Sequence, residues 1–138
     1  MHALYEIQRV LRSDGILIDL RSISDRWPIE VESAHNIQVT GHVLDLPASL
    51  ADDEAANQAI AQAAEKGWFS KEQEEFFPYY YSWDSPDEME DYIEEAWEDY
   101  IGLDEATMQA TSSVWALADA DARVRVRTKM LITHWRKK

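Results

Sequence analysis

The last part of the chain carries the feature that most constrains the fold. From Arg123 onward, basic side chains alternate with side chains that suit a buried face. This period of two residues predicts a β-strand with one buried face, which requires partner strands and a covering layer. The buried set is Val124, Val126, Thr128, Met130 and Ile132, and the basic set is Arg123, Arg125, Arg127 and Lys129.

Hydrophobic periodicity elsewhere predicts four helices and three further strands. The helices are expected over residues 2–12, 55–64, 86–101 and 104–119, and the strands over residues 16–20, 37–43 and 68–83. Residues 16–20 form an apolar run typical of a strand buried on both faces, and Pro78 is expected to break the aromatic strand. The acids of helix 86–101 are the expected partners of the basic strand face, within one chain or across a dimer.

Together these elements predict an α/β fold, α+β in appearance, over a single domain at residues 1–138. About four strands in a small mixed sheet are expected to pack with about four helices. Ser85, Pro86 and Glu88 combine an N-cap, a first-turn proline and a capping-box acid, and they give helix 86–101 the strongest start signal.

Composition excludes several classes of function. The formal net charge of −14 opposes binding to nucleic acid, which requires clustered basic residues. No apolar run reaches the roughly 18 residues that span a bilayer, so we expect no membrane association and a cytoplasmic location. The absence of cysteine excludes disulfides, a thiolate nucleophile and cysteine-ligated metals. The histidines His2, His35, His42 and His134 have no metal-binding spacing, so no metal site is expected.

Residues 3–19, ALYEIQRVLRSDGILID, resemble the helix, turn and fifth strand of class I S-adenosylmethionine-dependent methyltransferases. That segment is commonly written E-I-x-R-V-L-R-P-G-G before an apolar strand. Here Ser13 and Asp14 replace the usual Pro-Gly, and Gly15 keeps the flexible position of the turn. The later order of elements is similar to the sixth and seventh strands of the family, whose last strand runs antiparallel between the fifth and sixth. The resemblance therefore implies the C-terminal half of that fold.

The half of the family fold that holds the cofactor has no counterpart in this sequence. The resemblance places the cofactor over a glycine-rich loop after the first strand, and the glycines here are the widely separated Gly15, Gly41, Gly67 and Gly102. We therefore expect no cofactor-binding residues, no catalytic residues and no independent methyl transfer. S-adenosylmethionine is expected only if a partner chain completes the site.

Two groups of residues are candidates for ligand binding. Asp19, Arg21 and Trp27 come at or after the carboxyl end of the first predicted strand, where α/β folds place ligands. Tyr80 and Trp83 belong to an aromatic segment that would line an apolar pocket. The alternatives are a solvated loop with local ion pairs for the first group and core packing for the second.

Three interpretations of function follow. The first is a methyltransferase-like module that acts by association, as a homodimer or with a partner protein. The exposed edge of strand 16–20 would then be covered by a second copy or by residues 36–44. The second is a protein that binds a small apolar or aromatic ligand. The third is the substrate-side half of a methyltransferase, completed by another chain or by missing N-terminal sequence.

Overall fold

The computed structural model describes residues 2–138, which contain four helices and seven strands. The mixed α/β class and the four helices are confirmed, and the strands outnumber those predicted. In chain order the elements are α1 His2–Val10, β1 Ile16–Ile23, β2 Pro28–Glu32, β3 Ile37–His42, β4 Leu44–Asp45, α2 Pro47–Glu65, β5 Phe69–Trp83, α3 Pro86–Ala96, β6 Ile101–Gly102, α4 Glu105–Ala116 and β7 Arg123–Lys137.

The strands form two sheets. The larger sheet has the order β1–β7–β2–β3, with β5 also paired to β7, and β4 and β6 form a separate two-stranded sheet. The chain divides into two compact units. The first contains the described residues up to Ile23 together with Ala51–Phe77 and Met130–Lys138, and the second contains Ser24–Leu50 and Pro78–Lys129.

In the first unit, the segments that lead into β1 and β5 flank β7. The backbone N–H of Lys137 donates to the carbonyl of Gly15 at 2.8 Å, and that of Lys138 donates to the carbonyl of Trp68 at 3.1 Å. Successive N–H groups of a strand point to opposite edges, so β1 and β5 begin on opposite edges of β7. Since β7 ends where β1 begins, β1 must run antiparallel to β7 to remain paired with it.

The core of the first unit lies between this part of the sheet and helices α1 and α2. Ala63, Phe69 and Trp135 are buried there, and apolar side chains from α1, β1 and α2 pack around them. Helix α2 begins at Pro47, earlier than predicted, and ends at Glu65, close to the predicted end. Gly67 follows it with a positive φ of 74°, which suits glycine after a helix.

The turn between α1 and β1 uses its residues differently from the prediction. The left-handed backbone conformation belongs to Asp14, whose φ is 62°. Gly15 is needed for space instead, because a Cβ atom at this position would lie 2.8 Å from the carbonyl oxygen of Arg12. An aspartate tolerates the left-handed region, which explains why the turn forms without the usual second glycine.

The second unit is built on a β2–β3 hairpin that continues into β7. β2 pairs antiparallel with both neighbours, and Ile29 lies opposite Gly41 on one side and Val126 on the other. Helices α3 and α4 cover this part of the sheet with Met89, Ile93 and Met108. The predicted start of α3 is confirmed, since the Ser85 hydroxyl accepts a hydrogen bond from the Glu88 N–H at 3.2 Å.

Four local predictions about the strands and helices are corrected by the structure. β1 is not buried on both faces, because its residues alternate between half-buried and exposed. Pro78 does not interrupt β5. Among residues 2–138, β7 is the one strand that pairs with β5, so β5 has a free edge that tolerates a residue without an N–H. α3 ends at Ala96, and Ile101 pairs instead with Asp45 in the small sheet.

β2 was not predicted, because its Ile29 and Val31 alternate with glutamates that suggested a polar loop.

We expect the Ile93→Ala substitution to destabilise the second unit by about 3 kcal/mol, since it leaves a cavity among fully packed neighbours. Urea unfolding followed by tryptophan fluorescence measures the change. The matched control is Leu117→Ala, because Leu117 is 91% exposed and its removal should change the free energy of unfolding by less than about 0.5 kcal/mol. Equal effects of the two substitutions would contradict the described core.

Candidate functional site

Strand β1 has an apolar face that the described chain leaves uncovered. Ile16, Ile18 and Leu20 are 49%, 51% and 55% exposed, and they alternate with residues that are half-buried. A row of exposed aliphatic side chains on one strand is a candidate surface for another molecule.

The outer edge of β1 is also open. β1 is the last strand in the order of its sheet, and no other strand of residues 2–138 pairs with its outer edge. Residues 37–42 do not cover it, because they form β3 and pair with β2. The expectation that residues 36–44 cover this edge is therefore wrong. β3 pairs instead with β2, which is nearer in the chain. This hairpin satisfies the backbone N–H and C=O groups of β3 that pairing with β1 would have used.

A shallow groove of about 270 Å³ lies along the inner side of β1, between α1 and α2. Its walls are mainly apolar, and the predicted ligand residues Asp19 and Arg21 contribute its polar groups. The lining residues are Leu4, Ile7, Leu17, Ile18, Asp19, Arg21, Ala56, Ala59 and Ile60. The structure thus brings two of the five predicted site residues into one groove, although both lie within β1 rather than after it.

Arg21 is held at this groove by two partners and has one unsatisfied group. Its Nε lies 3.1 Å from the carboxylate of Asp19, and its Nη2 donates to Oδ1 of Asn57 at 2.7 Å. Its Nη1 is buried and has no hydrogen-bond partner among the described residues. A buried N–H without a partner costs free energy, so Nη1 can donate a hydrogen bond to an oxygen of a bound ligand.

The other three predicted site residues, Trp27, Tyr80 and Trp83, lie in the second unit. Trp27 is buried in its core, and Trp83 packs against the same core. The ring of Trp97 lies 5.7 Å from that of Trp27 and 6.4 Å from that of Trp83, in edge-to-face contact. These contacts correspond to the core-packing alternative, and ligand binding at these residues stays a prediction.

Tyr81 lies inside this aromatic cluster. Its ring is 4.9 Å from that of Trp97 and 6.0 Å from that of Tyr92. Burial raises the pKa of the Tyr81 phenol, and the neighbouring phenols of Tyr92 and Tyr79 add to the rise. The Tyr81 hydroxyl is therefore neutral throughout the physiological range and acts as a packed group.

Tyr80 has a different environment from the packed rings. Its ring lies beneath the guanidinium of Arg125, with 4.3 Å from the guanidinium carbon to the ring centroid. This cation–π contact orients the side chain of Arg125 from one side, while two glutamates approach from β2.

The basic face of β7 is neutralised by acids other than those of α3. Arg125 pairs with Glu30 at 2.8 Å and with Glu32 at 2.9 Å, and Arg127 lies 3.6 Å from Glu30. Arg123 pairs with Asp84, and Lys129 pairs with Asp25. The predicted pairing with α3 is wrong because α3 packs on the opposite, apolar side of β7, against Val124 and Val126.

Comparison with family models, curated proteins and solved structures finds no match to this chain. Within residues 2–138, no group of three or more histidine, aspartate or glutamate side chains is arranged to hold a metal ion. Over the same residues, no helix is long and apolar enough to cross a membrane.

We expect the Glu30→Gln substitution to destabilise the second unit by roughly 3 kcal/mol, because it leaves Arg125 buried with part of its charge uncompensated. The side chains of Glu30 and Arg125 are only 6% and 13% exposed. Glu32→Gln is the matched control, since Glu32 pairs with the same arginine but is 39% exposed, and its loss should cost under about 1 kcal/mol. Urea unfolding of the two variants decides the point, and a larger cost at Glu32 would refute it.

A second prediction concerns pH and the first unit. Hydrogen bonding from Arg136 holds the pKa of Glu72 below its ordinary value of 4.5, and nearby His134 lowers it further. A depressed carboxyl pKa stabilises the fold above the unfolded-state pKa, and this contribution is lost as the pH falls through the folded value.

We therefore expect the melting temperature of the wild-type protein to fall more steeply below pH 4.5 than that of the Glu72→Gln variant. Thermal unfolding by circular dichroism at a series of pH values measures both slopes. Glu75→Gln on the same strand is the control, and it should retain the slope of the wild type. Parallel slopes for wild type and Glu72→Gln would exclude a contribution from the pair.

Proposed function

We propose that this chain is a methyltransferase-related module that acts by association, with strand β1 as its binding surface. On this proposal it has no cofactor site of its own and performs no methyl transfer alone. The observation that carries the proposal is the combination, on one strand, of an open edge and the exposed side chains of Ile16, Ile18 and Leu20.

The arrangement of β7 supports the ancestry part of the proposal. In the family that residues 3–19 resemble, the last strand lies between the fifth and the sixth strands. The fifth strand is the one in that motif, and the sixth follows it after a helix. Here β7 pairs with β1 and with β5, and α2 precedes β5 in the chain, although β2, β3 and β4 also lie between β1 and β5. On the family pattern, the open edge of β1 is the edge at which the absent cofactor half would begin.

A methyltransferase completed by another chain is a variant of the same proposal. In that variant, a partner that carries the glycine-rich cofactor loop would pair with β1, and the two chains together would bind S-adenosylmethionine. The chain described here would then supply substrate-side residues only.

Isothermal titration with S-adenosylmethionine and S-adenosylhomocysteine, together with light scattering in the same buffer, tests the proposal. We expect no saturable heat with either nucleoside and a solution mass above that of one chain. Micromolar binding of either nucleoside to the protein alone would refute a module without its own cofactor site.

We expect the Ile18→Lys substitution to shift the solution mass toward the monomer, because it places a charge at the centre of the exposed face of β1. Leu117→Lys is the matched control, since Leu117 is highly exposed and lies in the second unit. Light scattering over a dilution series measures both variants. An Ile18→Lys protein with the wild-type mass would place the association elsewhere.

The groove beside β1 favours a second candidate, binding of a small apolar ligand that carries an oxygen acceptor. The buried Nη1 of Arg21 lacks a partner, and the walls of the groove are aliphatic. Its volume of about 270 Å³ lies near the lower end of ligand pockets, which typically measure roughly 300–1,000 Å³. Native mass spectrometry of the purified protein would reveal such a ligand as a discrete added mass, and Arg21→Met should remove it.

A further inference from the structure

We propose that the occupant of the open edge of β1 is β1 of a second copy of this chain, paired antiparallel about a two-fold axis at Leu20. The inference rests on the proposed self-association and adds the partner and the register. It follows from three features of β1: the backbone groups at its open edge, the side chains of the same residues, and the positions of its charges under a two-fold rotation.

The free backbone groups belong to the even-numbered residues of β1. Gly15 directs its carbonyl to Lys137 of β7, and alternate residues of an antiparallel strand direct their backbone groups to the same edge. Leu17, Asp19 and Arg21 therefore face β7, and the N–H and C=O groups of Ile16, Ile18, Leu20 and Ser22 face the open edge. An antiparallel partner must place even residues opposite even residues to form these hydrogen bonds.

The edge of β1 lacks proline and lysine, and its two inward-pointing charges, Asp19 and Arg21, already pair with each other. Its sequence is ILIDLRSI, and its alternation of exposure is regular along all eight residues. The other outer strand of the first unit, β5, begins FSKEQEE and continues to Pro78. Charges and proline on an edge oppose pairing with another chain, so β5 is protected and β1 is not.

Charge selects one register among those that the backbone allows. A two-fold axis at Leu20 places Asp19 opposite Arg21 of the second copy, and the symmetry repeats the pair. An axis through Asp19 would oppose two carboxylates, and an axis through Arg21 would oppose two guanidinium groups. An axis at Ile18 would leave both charged residues opposite Leu17 or Gly15.

The same register also matches the apolar residues. It places Leu20 directly opposite Leu20 of the second copy, on the face where this side chain is 55% exposed. On the inner face, Ile23 of the second copy comes opposite Leu17, beside the aliphatic wall of the groove. An isologous contact of this kind closes after two copies and does not propagate into a fibre.

Charge reversal tests the register. In a dimer of the Asp19→Arg variant, two pairs of arginines would face each other across the axis. In a dimer of the Arg21→Asp variant, two pairs of aspartates would do so. Each variant should therefore dimerise at least about tenfold more weakly than the wild type. An equimolar mixture of the two variants should regain the dimer mass, because every arginine then faces an aspartate. Light scattering and circular dichroism of each sample measure mass and folding.

Single cysteines give an independent readout, because the chain contains none. With the axis at Leu20, the two Leu20→Cys residues lie about 5.5 Å apart between Cα atoms, within disulfide range. The two Ile18→Cys residues would then be four residues apart along the strand, at roughly 3.4 Å per residue, or about 15 Å apart with the spacing between strands included, and should not crosslink.

The outcomes separate the register from the association itself. A wild-type dimer that survives both charge reversals, or that crosslinks through Ile18→Cys and not Leu20→Cys, overturns the register and leaves self-association intact. A monomeric wild-type protein at micromolar concentration overturns both. Loss of the dimer in each variant with recovery in the mixture supports the proposal and shows that both variants are folded.

Discussion

The structure depends on the pairing of one strand, β7. Its 15 residues pair with β1 and β5 and, over Arg123–Val126, with β2. A strand with partners on both edges must present side chains that tolerate burial, and β7 buries Val124, Val126, Leu131 and Trp135. Val124 and Val126 belong to the core of the second unit, and Trp135 belongs to the core of the first.

Pairing with β7 also determines where charge can be buried. Glu30 lies opposite Arg125 in the register of β2 with β7, and their side chains meet on one face. A lone carboxylate at this depth would be strongly unfavourable, so Glu30 requires the arginine and the arginine requires the two glutamates of β2. The basic stripe of the sequence is therefore paired within the second unit, most deeply at Arg125.

Local signals in the sequence predicted local structure well. Ser85, Pro86 and Glu88 define the start of α3 because all three act within one helical turn, and the alternation after Arg123 defines the first half of β7. The predicted burial of Met130 and Ile132 is wrong, because the buried positions shift by one residue after Thr128. The second half of β7 buries Leu131, Thr133 and Trp135 instead. Partners distant in sequence were not predicted. Nothing local to Glu30 indicates Arg125, 95 residues later, so β2 was missed and the basic face was assigned to α3. For the candidate site, sequence placed Asp19 and Arg21 together at one strand, and both line the groove beside β1, where ligand binding stays a prediction. Trp27 and Trp83 pack into a core that only tertiary contacts reveal.

The exposure of β1 follows from the same argument. A strand with alternating aliphatic and charged residues is stable at the end of a sheet only if its outer face and edge are covered, or if charge and proline discourage pairing. β1 has its charges on the inner, odd-numbered positions, where Asp19 and Arg21 neutralise each other. Its outer positions are therefore left entirely apolar except for Ser22. This distribution disfavours a solvated edge and favours a second strand, and two-fold symmetry allows the chain to provide that strand itself.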